Sequence, residues 1–227
     1  MNRRTFLKAV PAVTLLAATK PGMGQELKTI NLVEPQKAGG KSVLAALWDR
    51  KTTRNIGTKR LPEQVLSNLL WAAFGINRQN EPFNGPGRTA ASASNSQEID
   101  LYIALAEGVY LYEAAGHRLV PVAAGDFRRR SGRRAAANAP VNIFYVVDIA
   151  KYAKAPFQEP GLKDPEVQKS YYYVATGLIA QNVYLYAASQ GLAAHFHNCD
   201  KRNTPKEFKL RPDQRVLFAQ TVGYPAD

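Results

Sequence analysis

The order of its patterned segments predicts an α+β fold for this chain of 227 residues. Helical patterns come first, a group of strand patterns occupies the middle, and a long apolar helical pattern follows. Short turn signals divide the strand group, which is typical of antiparallel strands. We therefore expect a central, mainly antiparallel sheet flanked by helices.

Two helices are expected before the strands. Residues 25–40 have no sustained period and predict an extended lead-in. Ser42 can cap a short helix that continues through Leu47. Pro62 suits the first turn of a second helix, and Gly75 is placed to end it. The apolar face of the second helix contains Val65, Leu66, Leu69, Leu70 and Ala73.

A loop and four strands come next. Residues 79–93 are rich in Gly, Pro, Asn and Arg and predict the loop. Period-two alternation then predicts a meander of three strands, and an apolar run predicts a fourth, buried strand. These four predicted strands are residues 100–106, 109–113, 117–122 and 141–147.

A long helix and a last strand complete the pattern. Asp164, Pro165 and Glu166 supply a cap, a first-turn proline and a first-turn acid, and Gly191 ends the helix. Apolar residues lie on opposite sides of this helix, which predicts that it is buried nearly all round. Residues 215–222 predict the last strand.

The N-terminus is similar to a twin-arginine targeting peptide. Arg3 and Arg4 precede Phe-Leu-Lys, and the apolar stretch at 9–18 is too short to span a bilayer. Cleavage of a signal at 1–24 leaves one domain at 25–227, exported folded to the periplasm and without stable membrane insertion. This route also suggests a cofactor loaded before export. An uncleaved basic anchor helix is the alternative.

Charge and cysteine content limit the expected partners. The formal charge of +12 falls to +8 without the four cations of the predicted signal. Much of the excess lies at 128–134, where a solvated loop or a collar for an anionic ligand is favoured over a nucleic-acid arm. We expect no nucleic-acid partner for an exported protein. Cys199 is the only cysteine, so no intrachain disulfide can form.

Three segments carry groups suited to a phosphorylated, planar ligand. In the first, at 50–54, two guanidinium groups and a hydroxyl alternate and suit phosphate oxygens, although basic residues after a helix are often only solvated. In the second, at 92–97, small hydroxyl residues permit close approach to a ring; a capped helix start is the alternative. The third contains Gln181 and Asn182 of the long helix and its Gly-Leu exit into 195–198.

In order and separation, these segments resemble the motifs of the nitroreductase family, and the resemblance runs from about residue 44 to 225. Residues 223–225 are also similar to its azoline-oxidase-like branch. The resemblance implies an FMN-dependent oxidoreductase that forms an intertwined homodimer with FMN at the interface. It implies FMN contacts at Arg50, Lys51, Thr52, Arg54, Ser92, Ala93, Ser94, Asn95, Phe196, His197 and Asn198.

The resemblance also implies roles. Arg50 and Thr52 hold the phosphate and ribityl chain, and Arg54 approaches the flavin ring. The cofactor carries the chemistry, so no residue is assigned as catalytic. Electrons pass to or from a small-molecule substrate, with NAD(P)H, a quinone or a redox partner as donor. A non-enzymatic periplasmic binding protein with a degenerate flavin site is the alternative.

Two features depart from simple expectations. The family's basic pair after the last strand is missing, and Arg88, Arg133 or Arg134 could replace it as a phosphate grip. The spacing His195-x-His197-x-Cys199 is compatible with zinc or copper. Because no fourth ligand is evident, we expect no metal and favour a substrate-facing or structural role for these side chains.

Overall fold

The structure of this chain is a computed structural model that describes residues 26–79, 85–132 and 135–226. The targeting sequence predicted at 1–24 lies outside the described residues. Among the helices that are described, none is long and apolar enough to cross a bilayer. The helices are α1 Val43–Asp49, α2 Glu63–Phe74, α3 Pro165–Ser189 and α4 Thr204–Glu207. The strands are β1 Ile30–Asn31, β2 Ile76–Arg78, β3 Gly87–Arg88, β4 Ile99–Ala104, β5 Gly108–Glu113, β6 Arg118–Ala124, β7 Val141–Asp148, β8 Ala193–His197 and β9 Gln214–Gly223.

A seven-stranded sheet organises the molecule in the order β1-β6-β5-β4-β7-β9-β8. Each neighbouring pair is antiparallel. All eight residues of β7 are buried, as its mainly apolar sequence predicts, because β7 is an interior strand that is covered on both faces. The predicted α+β fold, with a central antiparallel sheet flanked by helices, is confirmed.

Different groups of side chains cover the two faces of the sheet. On one face, α2 and α3 contribute Leu69, Leu70, Ile179 and Val183 to the main core. On the other face, a smaller cluster surrounds Phe208, which follows α4. The two faces therefore give β8 two different environments, one next to α3 and one away from it.

The long helix α3 is less buried than its sequence predicts. Ile179 and Val183 are fully buried against the sheet, but Val174 is 62% exposed and Leu178 is 43% exposed. The prediction of burial nearly all round is therefore wrong for the single chain. The sheet can cover only one side of a helix, and the described part of the chain supplies no second layer over Val174 and Leu178.

Capping signals placed the first two helices correctly, whereas short strands were missed. The hydroxyl of Ser42 accepts a hydrogen bond from the backbone of α1, and Pro62 immediately precedes α2. The loop predicted at 79–93 contains β3, which pairs with β2, and the lead-in at 25–40 contains the edge strand β1. Strands of two or three residues are too short to show a period.

Candidate functional site

The first predicted segment lies between α1 and β8. After α1 ends, Arg50 is extended and residues 50–54 run beside β8, where the Thr53 amide donates to the carbonyl of Ala194 at 3.0 Å. Because the segment is extended, successive side chains point to opposite sides of it. Arg50 and Thr52 approach Tyr184 of α3, and Lys51 lines a cavity of about 330 Å³ that Tyr184 also borders.

The cations of this segment have no acidic partner among the described residues. Neither Arg50, Lys51 nor Arg54 forms an ion pair or side-chain hydrogen bond there, and the nearby Asp49 is paired with Lys41. Lys51, Thr52 and Arg54 are exposed. Three neighbouring cations without a counter-charge favour an anionic ligand, and arginine matches phosphate oxygens in particular.

Tyr184 joins the first segment to the third. Its hydroxyl lies 3.1 Å from Thr52 Oγ1 and accepts a hydrogen bond from the Phe196 amide at 2.8 Å. The Arg50 guanidinium carbon lies 5.5 Å from the centroid of its ring. Sequence reasoning missed Tyr184 because a tyrosine in a long apolar helix gives no signal that separates it from core.

The second segment has an unusual backbone. Ser94, Asn95 and Gln97 have φ angles of 51°, 51° and 49°, in the left-handed region that residues other than glycine rarely adopt. A short 3-10 helix at Ala93–Asn95 forms part of this turn. Such strain persists only where surrounding contacts enforce it, and it is concentrated at functional sites.

Gln97 provides many of the contacts that hold this backbone. Its side-chain oxygen accepts from Arg88 Nε at 2.6 Å, and its side-chain nitrogen donates to the Pro86 carbonyl at 2.7 Å. Its amide donates to Ser92 Oγ at 3.0 Å, and its carbonyl accepts from Lys151 Nζ at 3.1 Å. The motif therefore contains its own structural anchor.

Arg88 takes part in the same set of contacts that holds the turn. Its Nη1 donates to the Phe74 carbonyl at 2.9 Å, and its guanidinium carbon lies 4.8 Å from the Phe74 ring centroid. Burial lowers the pKa of Arg88. Because these contacts and the bond to Gln97 use the guanidinium, Arg88 is poorly placed to replace a missing phosphate grip. Arg133 and Arg134 lie outside the described residues.

Glu98 is a buried acid that the sequence did not single out. Its side chain is fully buried, and Oε2 accepts from Ser96 Oγ at 2.7 Å. The other oxygen, Oε1, has no hydrogen-bond partner among the described residues. Burial is the main reason why the pKa of Glu98 is raised. The charged form of this carboxyl therefore destabilises the base of the second segment.

The second segment borders a cavity of about 670 Å³, a volume within the range of small-molecule sites. Ser92, Ser94 and Asn95 line one side, and Phe157 and Glu159 line another. Ser94 Oγ donates to Glu159 at 3.3 Å. A polar turn with an aromatic neighbour can accommodate a ligand that is partly planar and partly polar.

The third segment is divided between the two faces of the sheet. Phe196 is half-buried on the α3 side, with its ring centroid 4.8 Å from that of Phe218. His197 is buried on the opposite face, where Nε2 lies 2.9 Å from Thr221 Oγ1 and Nδ1 lies 2.8 Å from the Asn198 carbonyl. Phe196 and His197 therefore cannot contact one face of the same ring.

The possible metal ligands do not assemble into a complete set. His195 and His197 lie on the same side of β8, with ring centroids 4.8 Å apart, as alternation predicts. Cys199 packs in the apolar cluster around Phe208, and burial raises its pKa to about 12. In the described part of the chain, no group of three or more His, Cys, Asp or Glu side chains could hold a metal ion.

The basic run at 128–134 is largely engaged in ion pairs where the structure describes it. Arg128 pairs with Asp126, and Arg130 pairs with both Asp200 and Glu207. These contacts attach the run to α4 and the adjoining turn. They give Arg128 and Arg130 structural roles.

In one chain, the hydrogen bonds of the described residues join only two of the three segments. Tyr184 connects residues 50–54 to β8, but among the described residues no hydrogen bond joins 92–97 to either of them. The fold and these segments define an α+β protein with three cations beside β8 that have no acidic partner among the described residues, and a strained, cavity-lining turn elsewhere. Such cations suit an anionic ligand.

The chain belongs to the nitroreductase family, whose model matches residues 47–224. Family membership supports an oxidoreductase of the nitroreductase type. No curated protein is similar enough to match the chain.

Solved structures agree with this fold. A candidate nitroreductase from Ralstonia eutropha JMP134 is 31% identical, with a TM-score of 0.79 over 92% of this chain and 94% of that one. A nitroreductase family protein from Clostridium difficile 630 is 17% identical, with a TM-score of 0.54 over 82% and 86%. A candidate NADH oxidase from Clostridium acetobutylicum is 18% identical, with a TM-score of 0.52 over 82% and 89%. The last two likenesses concern the fold alone.

Proposed function

We propose that this protein is an FMN-dependent oxidoreductase that passes electrons through bound FMN to or from a small-molecule substrate. The observation that carries the proposal is the group of three cations, Arg50, Lys51 and Arg54, on a nitroreductase scaffold, for which the described part of the chain supplies no acidic partner. When bound, FMN supplies the redox chemistry, and the protein supplies position and charge.

The residues fit one phosphate and one ring. Arg50 and the Thr52 hydroxyl donate to the phosphate, and Arg54 provides positive charge near the ring. Ala93 and the polar residues Ser92, Ser94 and Asn95 form a rigid edge, and Phe196 supplies an aromatic surface. Asn198 is exposed beside this surface, while His197 supports the turn from the other side of the sheet.

The spectrum of the purified protein tests this proposal. We expect a yellow protein that releases FMN and not FAD on denaturation, because the cations suit one phosphate and no adenine-binding nucleotide loop is present in the sequence. A colourless protein that fails to take up added FMN would favour the alternative, a non-enzymatic binding protein. The commitment of Arg88 to Phe74 and Gln97 is the observation that favours this alternative.

We also propose a homodimer whose second copy completes the site. Among the described residues of one chain, no hydrogen bond joins the 92–97 turn to the cation segment, and a second copy would bring such groups together. Exposed apolar side chains mark the surface that a partner can cover, and Trp48 is 90% exposed. On α1 they are Val43, Leu44, Leu47 and Trp48, and on α3 they are Tyr173, Val174 and Leu178.

Light scattering of two charge variants tests the dimer. Trp48→Glu places a charge on the apolar surface and should yield monomers that bind FMN weakly. Lys163→Glu changes an exposed residue outside this surface and should leave both mass and FMN binding unchanged. Persistence of a dimer with normal FMN affinity in Trp48→Glu would place the interface elsewhere.

We further propose export to the periplasm by the twin-arginine route. This assignment rests on Arg3 and Arg4 in the sequence. Changing both arginines to lysine preserves charge but should keep the precursor in the cytoplasm. Normal periplasmic accumulation of the double variant would indicate another route. A periplasmic location favours a quinone or a redox partner over NAD(P)H as electron donor.

A further inference from the structure

Tyr184 occupies the junction between the cation segment and the strand that carries Phe196. It lies on α3 and is 132 residues from Thr52 in sequence. Its hydroxyl contacts Thr52 Oγ1 and the Phe196 amide, and its ring contacts the Arg50 guanidinium. One side chain therefore sets the separation between two parts of the proposed site.

The chemistry of these contacts gives the hydrogen bonds a direction. A backbone amide can only donate, so the Tyr184 oxygen accepts from Phe196. The phenolic proton is then free to point to Thr52 Oγ1, which lies 3.1 Å away. With Thr52 accepting this bond, its own hydroxyl proton remains available on an exposed side chain.

We propose that Tyr184 is a positioning residue that orients the Thr52 hydroxyl as a donor to the phosphate of the bound cofactor. This inference rests on the proposed FMN function. Arg50 packs against the Tyr184 ring, so the same tyrosine also directs a guanidinium to the same side of the segment. The phosphate then receives two donors whose relative position α3 determines.

Tyr186 provides a matched control on the same helix. Its hydroxyl donates to the Val65 carbonyl of α2 at 3.3 Å and forms no hydrogen bond with the cation segment, both of which the structure describes. Tyr184→Phe and Tyr186→Phe each remove one hydroxyl from a partly buried tyrosine. A purely structural loss should therefore affect the two variants in the same way.

The experiment compares the affinities of FMN and riboflavin, which differ by the phosphate, by quenching of flavin fluorescence. Tyr184→Phe should weaken FMN binding by roughly three- to tenfold, the size of one hydrogen bond, and riboflavin binding by much less. Tyr186→Phe should leave the ratio of the two affinities unchanged. Thr52→Val should lose the same preference for FMN, and Thr52→Ser should restore it.

A double variant tests the relay directly. If Tyr184 acts through Thr52, adding Tyr184→Phe to Thr52→Val should change the FMN-to-riboflavin ratio no further. An unchanged ratio in Tyr184→Phe, with wild type binding FMN, overturns the positioning role and leaves the proposed function intact. If wild type binds no FMN, the proposed function fails. In that case, the rise in melting temperature on adding inorganic phosphate tests the role of Tyr184. An equal rise in wild type and Tyr184→Phe overturns the positioning role, and a smaller rise in the variant supports it.

Discussion

The cation segment at 50–54 and the turn at 92–97 differ in how the protein holds them. The cation segment is mostly exposed, and its charged groups have no acidic partner among the described residues. The turn is held by Arg88, Lys151 and a fully buried Glu98, and it contains three residues with positive φ.

This difference indicates a division of labour. The hydrogen bonds that hold the turn form without a ligand. The turn is therefore preorganised, and little free energy is needed to order it on binding. The cations instead form ion pairs only when an anionic ligand binds, so they contribute to the affinity for that ligand. Changes in the turn should therefore affect folding, and changes in the cation segment should affect binding.

The largest expected effect is on the stability of the turn. Arg88→Ala removes the donors to the Phe74 carbonyl and Gln97, and we expect it to lower the free energy of unfolding by about 2–4 kcal/mol. Arg54→Ala, in the exposed segment, should change the same quantity by less than about 0.5 kcal/mol. Urea unfolding measures both. Equal losses in the two variants would remove the contrast between the two regions.

The next largest effect is on cofactor affinity. Arg50→Ala should weaken FMN binding by about one to two powers of ten, corresponding to roughly 1.5–3 kcal/mol for a charged hydrogen bond to phosphate. Its free energy of unfolding without FMN should be close to that of wild type. Calorimetric titration with FMN measures the affinity, and Lys163→Ala is a control at an exposed cation. Wild-type affinity in Arg50→Ala would exclude this arginine from the phosphate site.

A smaller effect depends on pH and belongs to the turn. Burial raises the pKa of Glu98 above its ordinary value of 4.5. The stability associated with the neutral acid is therefore fully present below pH 4.5 and is lost as the pH rises through the raised pKa. Glu98→Gln keeps an acceptor for Ser96 and should remove this loss, so the variant should be more stable than wild type at neutral pH.

Unfolding free energies from pH 5 to 8 check this expectation. Arg54→Gln, in the cation segment, should preserve the pH profile of wild type because Arg54 is exposed and has no buried acidic partner among the described residues. Parallel profiles for wild type and Glu98→Gln would mean that Glu98 does not cause the pH dependence.

The smallest expected effect is on the reduction potential of the bound flavin. Arg54→Ala should lower the reduction potential because the negative charge on the reduced ring loses a nearby cation. For an exposed charge worth about 0.5–1 kcal/mol, the expected shift is roughly 10–20 mV for two electrons. Potentiometric titration of FMN-saturated protein measures it. An unchanged potential would remove this role from Arg54 while leaving the FMN proposal in place.

Long elements were predictable from sequence because their patterns repeat. The interior strand β7 is mainly apolar, and α3 is preceded by the cap Asp164 and begins with Pro165, so both were placed to within about two residues. The pair β2 and β3 was missed inside a predicted loop because its short strands depend on pairing with each other. Local pattern carries no information about such a partner.

The candidate site was predictable as motifs and not as geometry. The cations at 50–54 and the polar turn at 92–97 are visible as residue types that suit a phosphate and a ring. Tyr184 and Glu98 were missed because nothing in their local sequence distinguishes them from ordinary core and surface residues. Their importance comes from contacts with residues that the fold brings near.

By itself, the sequence determined the α+β class, the helices α1, α2 and α3, five of the seven strands of the main sheet, and the chemical types of the three predicted segments, because these follow from periodicity and side-chain chemistry. Tertiary structure alone decided that Phe196 lies on the α3 side of the sheet and His197 on the other side, that Tyr184 connects β8 to Thr52, and that one side of α3 remains exposed. The physical reason is that burial and hydrogen bonding depend on neighbours from distant parts of the chain, and only packing selects those neighbours.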